Sequence, residues 1–298
     1  MSGSSNKYEI SVIIPTYNRS QLLQYTLDSL CLQQIEPWRF EVIVSDDGSS
    51  DHTRGMISRY EHMLNLKYVY QEDRGYRVAS ARNNAIRRSA GNVCLFIDAG
   101  VILHVDCVAE HIRFHRTKIY RKSAIGYVYG FDHHQKSNTL LKDLIVPSDP
   151  VYSIRQLEKS PQFRDVRDKH YRKYNYKIEN LPAPWYYFWT CHVSVSTEDI
   201  VKIGLFDEAY DGRWGVEDND LGIRLYQDDV QICLLRTALS IHYPHFKDQE
   251  QRKREGYRNL LYLHHKFNML ETKLCVENYD NGLVDLNEII LKLLQDIP

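Results

Sequence analysis

The sequence has no C-x-x-C pair among its six cysteines and no apolar run near the ~20 residues of a membrane-spanning helix. The first absence excludes a zinc knuckle or a dithiol redox motif, and the second leaves no candidate span. A formal charge of −1 gives no global field that would select nucleic acid or a membrane surface, so any basic patch must be local. No G-x-G-x-x-G follows the first apolar run, which argues against a Rossmann dinucleotide site. A nucleotidyltransferase would want a glycine-rich, lysine-bearing phosphate loop near the N-terminus, and PTYNRSQLL is not one. The first ten residues, MSGSSNKYEI, lack the apolar core of a signal peptide. Internal repeats and low-complexity tracts are missing. The expectation is a soluble, cytoplasmic protein in a reducing compartment.

What remains is a chain of 298 residues, 43% hydrophobic, long enough for a sizeable core. Its 22 tyrosines against 9 phenylalanines supply flat area with polar tips, which suits carbohydrate and other amphipathic ligands as well as ordinary cores. EISVII (9–14) is a β-branched run that stops at Pro15. From Ser20 the spacing of Leu22, Leu23, Leu27 and Leu30 is helical. FEVIVSDDGSSDHT then reads as a strand over 40–45, an acidic turn and a helix from about Ser50. LKYVY (66–70), a helix from Val78 to Ala90, VCLFID (93–98), a helix from about Val105 to Lys118 and AIGYVYG (124–130) continue the alternation. Strands too apolar to face water on either side imply a parallel sheet covered by helices, and such sheets bind ligands at their carboxyl ends. Asp46, Asp47 and Asp98 all fall at carboxyl ends, as does Thr16-Tyr17-Asn18.

The second half changes character. Residues 131–180 are polar, and from Arg155 to Lys177 basic and tyrosine-rich; they read as a partly helical insertion. WYYFWTCHVSVS (185–196) reads as a strand. A short helix, the acidic WGVEDNDLGIRL (214–225), and the strands QICLL and ALSIHY follow. The basic segment 247–258 leads into a helix, and an amphipathic helix spans about 284–295. The expected division is a nucleotide-binding half (1–130), an inserted segment (131–180), a catalytic half (181–246) and a basic lid with C-terminal helices (247–298).

Four constellations carry candidate chemistry. Asp46-Asp47 with Thr16 can accept from ribose hydroxyls or a base imide, or can simply make a solvated turn. Asp98 marks either a metal or phosphate site or a helix cap. Glu217 and Asp218 open a helix; acidic residues there can complement its dipole, and a carboxylate kept ionised there can serve as a general base. His242, at a strand end, is a candidate metal ligand among 13 histidines, any of which can be structural.

SVIIPTYNR, VIVSDDGSSDHT, DRGYRVASARNNAI and a strand ending at Asp98 resemble the nucleotide-sugar-binding half of family-2 glycosyltransferases, which have the GT-A fold. VSVSTEDIVKIGLFDEAYDGRWGVEDNDLGIRL is similar to the G-x-F-D-E … W-G-x-E-D motif of the chondroitin-polymerase and polypeptide N-acetylgalactosaminyltransferase branch. The resemblance reaches from about residue 9 to 245. It implies a Rossmann-like, mostly parallel central sheet flanked by helices, with an inserted acceptor-side subdomain and C-terminal helices. Thr16, Tyr17 and Asp47, helped by Asp46, would hold a nucleotide, in all expectation uridine, and Arg82 would lie near the nucleotide or its diphosphate. Asp98 would be the first acid of the D-x-D metal motif, Asp218 with Glu217 would supply the base, and His242 would complete a site for Mn²⁺ or Mg²⁺. The departure is Gly100, where the family carries its second acid. That loss weakens the expected metal site, and Lys247, Arg252, Lys253 and Arg254 are the alternative counter-charges for a departing diphosphate.

These expectations make the protein an inverting glycosyltransferase with Asp218 as base and Trp214 as an apolar wall under the sugar or acceptor ring. The acceptor would be a carbohydrate, natural product or other hydroxyl-bearing molecule. Nucleic acid is a weak candidate, reached through the Arg, Lys and Tyr of 131–180. A catalytically silent nucleotide-sugar-binding protein is the alternative: Gly100 argues for it and the Glu217-Asp218 pair against.

Overall fold

The structure is a computed structural model that describes residues 7–117, 120–131 and 138–296. Its first half is a βα alternation. β1 (Tyr8–Thr16), β2 (Phe40–Asp46), β3 (Leu66–Tyr70) and β4 (Gly91–Ile97) are linked through α1 (Ser20–Cys31), α2 (Thr53–Ile57) and α3 (Val78–Ile86). After them come β5 (Val101–Leu103), α4 (Cys107–Arg116), β6 (Lys122–Tyr129) and three helices, α5 (Asn138–Leu144), α6 (Pro150–Glu158) and α7 (Asp168–Lys173). The remainder is β7 (His192–Ser196), α8 (Thr197–Lys202), α9 (Glu217–Gln227), β8 (Gln231–His242), α10 (Gln249–Phe267), α11 (Leu270–Glu277) and α12 (Leu286–Gln295).

All eight strands join one sheet in the order β3-β2-β1-β4-β7-β6-β8-β5. The pairs β1–β2, β1–β4, β2–β3 and β6–β8 are parallel, and β4–β7, β6–β7 and β5–β8 antiparallel. Alternate side chains along a strand face opposite ways. Ile13, Ile43 and Phe96 therefore enter one core with Leu221 and Leu225 of α9. Val12, Ile14, Val42 and Leu95 enter another with Leu23 and Leu27 of α1 and Ile112 of α4. Covering both faces is what lets these strands be continuous apolar runs. The carboxyl ends of β1, β2 and β4 make one rim, as the alternation predicts.

Several boundaries differ from expectation. Pro15 does not end β1, which pairs with β2 as far as Thr16↔Asp46. Of 185–196 only His192–Ser196 is strand. Pro184 starts a tight 3₁₀ turn over Pro184–Tyr187, and Trp185, Tyr187 and Phe188 are buried as a turn rather than as a pleat. QICLL and ALSIHY are a single strand; pairing jumps from Gly126↔Leu235 to Tyr127↔Leu239, so residues 236–238 bulge out. From Gln249 onward the basic stretch is itself helix, the first half of α10, with Asp248 as its N-cap. β5 and α11 carry no strong periodic signal and were not anticipated.

The inserted segment is tied to the sheet, not appended to it. Asp165 accepts from the Val128 amide at 3.0 Å and from Arg167 through Nη2 at 2.7 Å, and Arg167 also donates to Tyr187 O at 2.8 Å. Both side chains are fully buried. Removing one partner of a buried ion pair strands the other charge, at about 3–5 kcal/mol. Asp165→Ala is accordingly expected to lower the free energy of unfolding by that amount, read from the urea midpoint; an unchanged midpoint would show the pair to be dispensable. Part of this segment, residues 132–137, lies outside the described residues.

Candidate active site

The rim is built by turns that the sequence specifies locally. After β2, Asp46 accepts from the Ser49 amide (2.8 Å) and from Tyr68 Oη (2.7 Å), which uses one oxygen for each contact. Asp47 accepts from Gln71 Nε2 (2.5 Å) and the Arg77 amide (2.6 Å), and burial raises its carboxyl above the usual range. Asp46 is thus a holder of the turn, whereas Asp47 ties the turn to the start of α3. Thr16 Oγ1, alongside, is buried without a hydrogen-bond partner among the described residues. A buried hydroxyl left so is destabilising unless something arrives to pair with it. Tyr17 keeps 44% of its surface exposed, with its hydroxyl donating to Asp73 Oδ2 at 2.8 Å.

The amino end of α3 is capped from far away in the chain. Asp211 accepts from the Ala79 and Ser80 amides at 3.0 and 3.2 Å. One turn further on, Arg82 is buried and forked: Nη1 donates to Glu217 Oε1 at 2.7 Å and Nη2 to Asp98 Oδ1 at 3.2 Å. The two carboxylates outweigh desolvation and raise the guanidinium pKa further, so Arg82 is a fixed positive charge. The ring of Tyr76 is partly exposed, yet its hydroxyl is driven well above its ordinary range by burial and by Glu217.

Asp218 sits beside Glu217 in the first turn of α9, with Oδ1 accepting from the Asn219 amide (2.8 Å) and Oδ2 from the Thr190 amide (3.3 Å). Thr190 precedes Cys191, whose carbonyl accepts from the Asp98 amide at 3.4 Å, so Asp98 and Asp218 flank the same two residues. The position at the helix start does not keep Asp218 strongly acidic. Burial, and next the Glu217 charge, push its carboxyl up to about 7. Asp98, Glu217 and Asp218 therefore converge around Arg82.

Gly100 follows Asp98 in a tight turn closed by the Val101 amide on Asp98 O at 3.0 Å. Its φ of +101° lies where an L side chain is strained, so the missing second acid is a backbone requirement of this turn. His242 lies at the end of β8 opposite Val101, and the next residue, Tyr243, donates its amide to Gly100 O at 2.9 Å. The donors at this turn are one part-exposed carboxylate and one imidazole, a set that fits a hydrated divalent cation sharing further oxygens with a ligand.

Cations gather opposite Asp98. Arg19 contacts His245 at 3.0 Å, and Arg252 stacks over Trp214 at 4.8 Å from its ring. Burial, then Arg252, lowers Lys247 to about 8; burial, then Arg19, lowers Arg252. Crowding these partly buried cations together costs free energy that an anion lying between them would offset. Trp214 is held by Glu255, which accepts its amide at 2.9 Å, and it packs under α10. Sequence reasoning missed Tyr76, Arg77, Thr190 and Asp211. The only signal for them was their place next to motifs already noted.

The sequence model described as Glycosyl transferase family 2 matches residues 11–189, and one described as the N-terminal domain of galactosyltransferase matches 172–248. Validoxylamine A glucosyltransferase of Streptomyces hygroscopicus subsp. limoneus is 38% identical over 81% of this chain and 53% of its own length. Chondroitin synthase of Escherichia coli is 28% identical over 83% of this chain and 36% of its own. The chain spans about half the length of the first of these relatives or less of the second. Among solved structures, S. aureus TarS 1-349 in complex with UDP-GlcNAc aligns with TM-score 0.66 at 18% identity, covering 95% of this chain and 76% of that one. GalNAc-T7 with UDP, GalNAc and Mn²⁺ aligns with TM-score 0.60 at 15% identity, covering 87% and 48%. These likenesses give the fold, GT-A.

Proposed function

The chain belongs to glycosyltransferase family 2, and from that premise we propose that it moves a sugar from a uridine-diphosphate donor to an acceptor hydroxyl with inversion at the anomeric carbon. The observation that carries this reading is the Arg82 fork, which joins Asp98, on the proposed donor side, and Glu217, on the proposed base side, in one ion network. The proposed division of labour follows the halves of the chain: 1–130 for the donor, 181–246 for catalysis, 131–180 beside the acceptor, and 247–298 as a basic cover.

In this reading the uracil and ribose lie over Tyr17, with Thr16 Oγ1 and Asp47 as polar contacts and Asp46 as a positioning residue behind them. The diphosphate lies between Asp98 and the cations Arg19, Lys247 and Arg252. Charge that develops on it in the transition state meets groups already oriented, which is how preorganised electrostatics lower a barrier. Asp98 and His242 would hold a divalent cation, which when bound supplies further positive charge to the leaving diphosphate. Asp218 takes the proton from the acceptor hydroxyl as the oxygen attacks the anomeric carbon in line. Glu217, paired with Arg82, raises its neighbour's basicity. Trp214 walls the sugar or acceptor ring. The acceptor is proposed to be a carbohydrate or natural-product hydroxyl; one relative bears the name validoxylamine A glucosyltransferase.

A base with pKa about 7 predicts the pH profile. Transfer requires the deprotonated carboxylate, so kcat/KM is expected to fall about tenfold per unit below about pH 7 and to level off above it. A profile flat from pH 5 to pH 8 would contradict the assignment. Thermal-shift titration with UDP-sugars in Mn²⁺, Mg²⁺ or EDTA tests the donor and cation parts together. Stabilisation that grows with ligand concentration and shrinks in EDTA is the expected result. If donor binds but neither hydrolysis nor transfer occurs with any acceptor, the silent-binder reading replaces this one.

A further inference from the structure

A second constellation lies beneath the rim, in the core between α4 and the sheet. Cys107 and His111 stand four residues apart on one face of α4, opposite His192 of β7, and all three are buried. Cys107 Sγ is 3.3 Å from His192 Nε2, and His111 Nε2 is 2.9 Å from the same atom. The three ligand atoms lie within 4.8 Å of one another. Room for the His192 ring comes from Gly126 on β6, where an added Cβ would run into the imidazole.

The outer contacts fix what these atoms present inward. His192 Nδ1 is 2.8 Å from Ser240 Oγ, and that hydroxyl can donate onward to Tyr127 O. His111 Nδ1 is 2.8 Å from Ser194 Oγ, whose hydroxyl also reaches His115 Nε2 at 2.8 Å. In the tautomers that have both serines donating outward, each Nδ1 carries the ring proton and each Nε2 is a lone pair; with Ser240 donating to His192 instead, His192 Nε2–H donates to His111 Nε2. In the first arrangement, the one a cation would select, two lone pairs face each other at 2.9 Å and the single Cys107 proton can satisfy only one of them. Imidazoles whose outer nitrogens are tied down while the inner ones converge with a sulfur are the arrangement that metal ligation requires.

We propose that Cys107, His111 and His192 form a buried binding site for a zinc-class divalent cation, distinct from the donor-side turn at Asp98. Zinc bonds of about 2.0–2.1 Å to nitrogen and about 2.3 Å to sulfur put tetrahedral ligands roughly 3.4–3.6 Å apart. The two separations to His192 Nε2 need to open by a few tenths of an ångström to meet them, while Cys107 Sγ and His111 Nε2 lie within 4.8 Å of each other. Three protein ligands leave the fourth position to a water. Loading balances simply: a metal–sulfur bond forms, the Cys107 S–H bond breaks, and one proton leaves per ion bound. The ion would pin β7 one and two residues after Cys191 and Thr190, which contact Asp98 and Asp218. This proposal does not depend on the glycosyl-transfer reading.

The test uses the full chain, stripped by chelation, reloaded with Zn²⁺ and desalted. Expected are about one zinc per chain by elemental analysis, a higher melting temperature than the stripped protein, and about one proton released per zinc in weak buffer. Cys107→Ala and His111→Gln should each cut retained zinc to below about a tenth of an equivalent. Asp98→Asn should retain it, which separates this site from the rim. Cobalt loading of the unaltered chain gives a readout that needs no variant: a thiolate-to-cobalt charge-transfer band is expected. Wild-type chain that retains no zinc, a Cys107→Ala chain that retains as much as wild type, or absence of the cobalt band would each overturn the proposal.

Discussion

Asp218→Asn is expected to lower kcat for glycosyl transfer by about 10²–10⁴-fold, the range that a positioned general base contributes, while donor affinity changes little. The asparagine keeps the size but can accept from only one of the two amides, because its Nδ2 donates, and it cannot take the acceptor proton. Asp218 touches the Thr190 and Asn219 amides and nothing on the proposed nucleotide side, so a calorimetric donor titration should barely register the change. Removing the charge also relieves Glu217, whose Coulomb effect is the second cause of the raised Asp218 pKa. An Asp218→Asn chain that turns over at the wild-type rate would sink the base assignment. One that loses donor binding along with turnover would move Asp218 to the donor side.

Arg82→Met carries the other large effect, and it should appear in stability as well as in activity. Methionine fills the volume but leaves Glu217, 5% exposed, beside Asp218 and Asp98 without their shared cation. Stranding a buried carboxylate in this way costs about 3–5 kcal/mol, and repulsion among three neighbouring carboxyls drives at least one to take up a proton. The expected result is a urea midpoint well below wild type together with loss of transfer. Arg82→Lys keeps the charge but not the fork, since an ammonium cannot present two fixed donors to Glu217 and Asp98 at once. It should recover most of the stability and little of the rate. If Arg82→Met unfolds at the wild-type midpoint, the buried ion network is not what joins the two halves.

The parts of this molecule that sequence made legible are those governed by local pattern. Apolar runs and helical spacing placed β1 through β4, and the acids at 46–47 and 98 fell at the strand ends because a strand stops where polar turn residues begin. W-G-x-E-D was legible as a set. What escaped depends on partners far along the chain. The carboxylate that caps α3 is Asp211, about 130 positions after the amides it accepts. Gly100 looked like a lost ligand, and only its positive φ shows that the turn demands glycine. Asp218 was expected to stay ionised by helix position, but the adjacent Glu217 and burial outweigh that effect. The 185–191 stretch has the composition of a strand, and its aromatics are instead buried by a turn that Pro184 begins. His192 meets Cys107 and His111 only in the folded chain, although Cys107, His111 and His115 at four-residue spacing were a readable helical face.

The distant capping of α3 has a consequence for synthesis on the ribosome. The first 200 residues can emerge with β1 to β4 ready to pair, yet the α3 amides of Ala79 and Ser80 stay without Asp211, and Arg82 stays without Glu217. Those contacts of the amino-terminal half cannot form until the segment from 211 to 217 clears the exit tunnel. Translation speed over that interval would set how long the growing chain is exposed to chaperones.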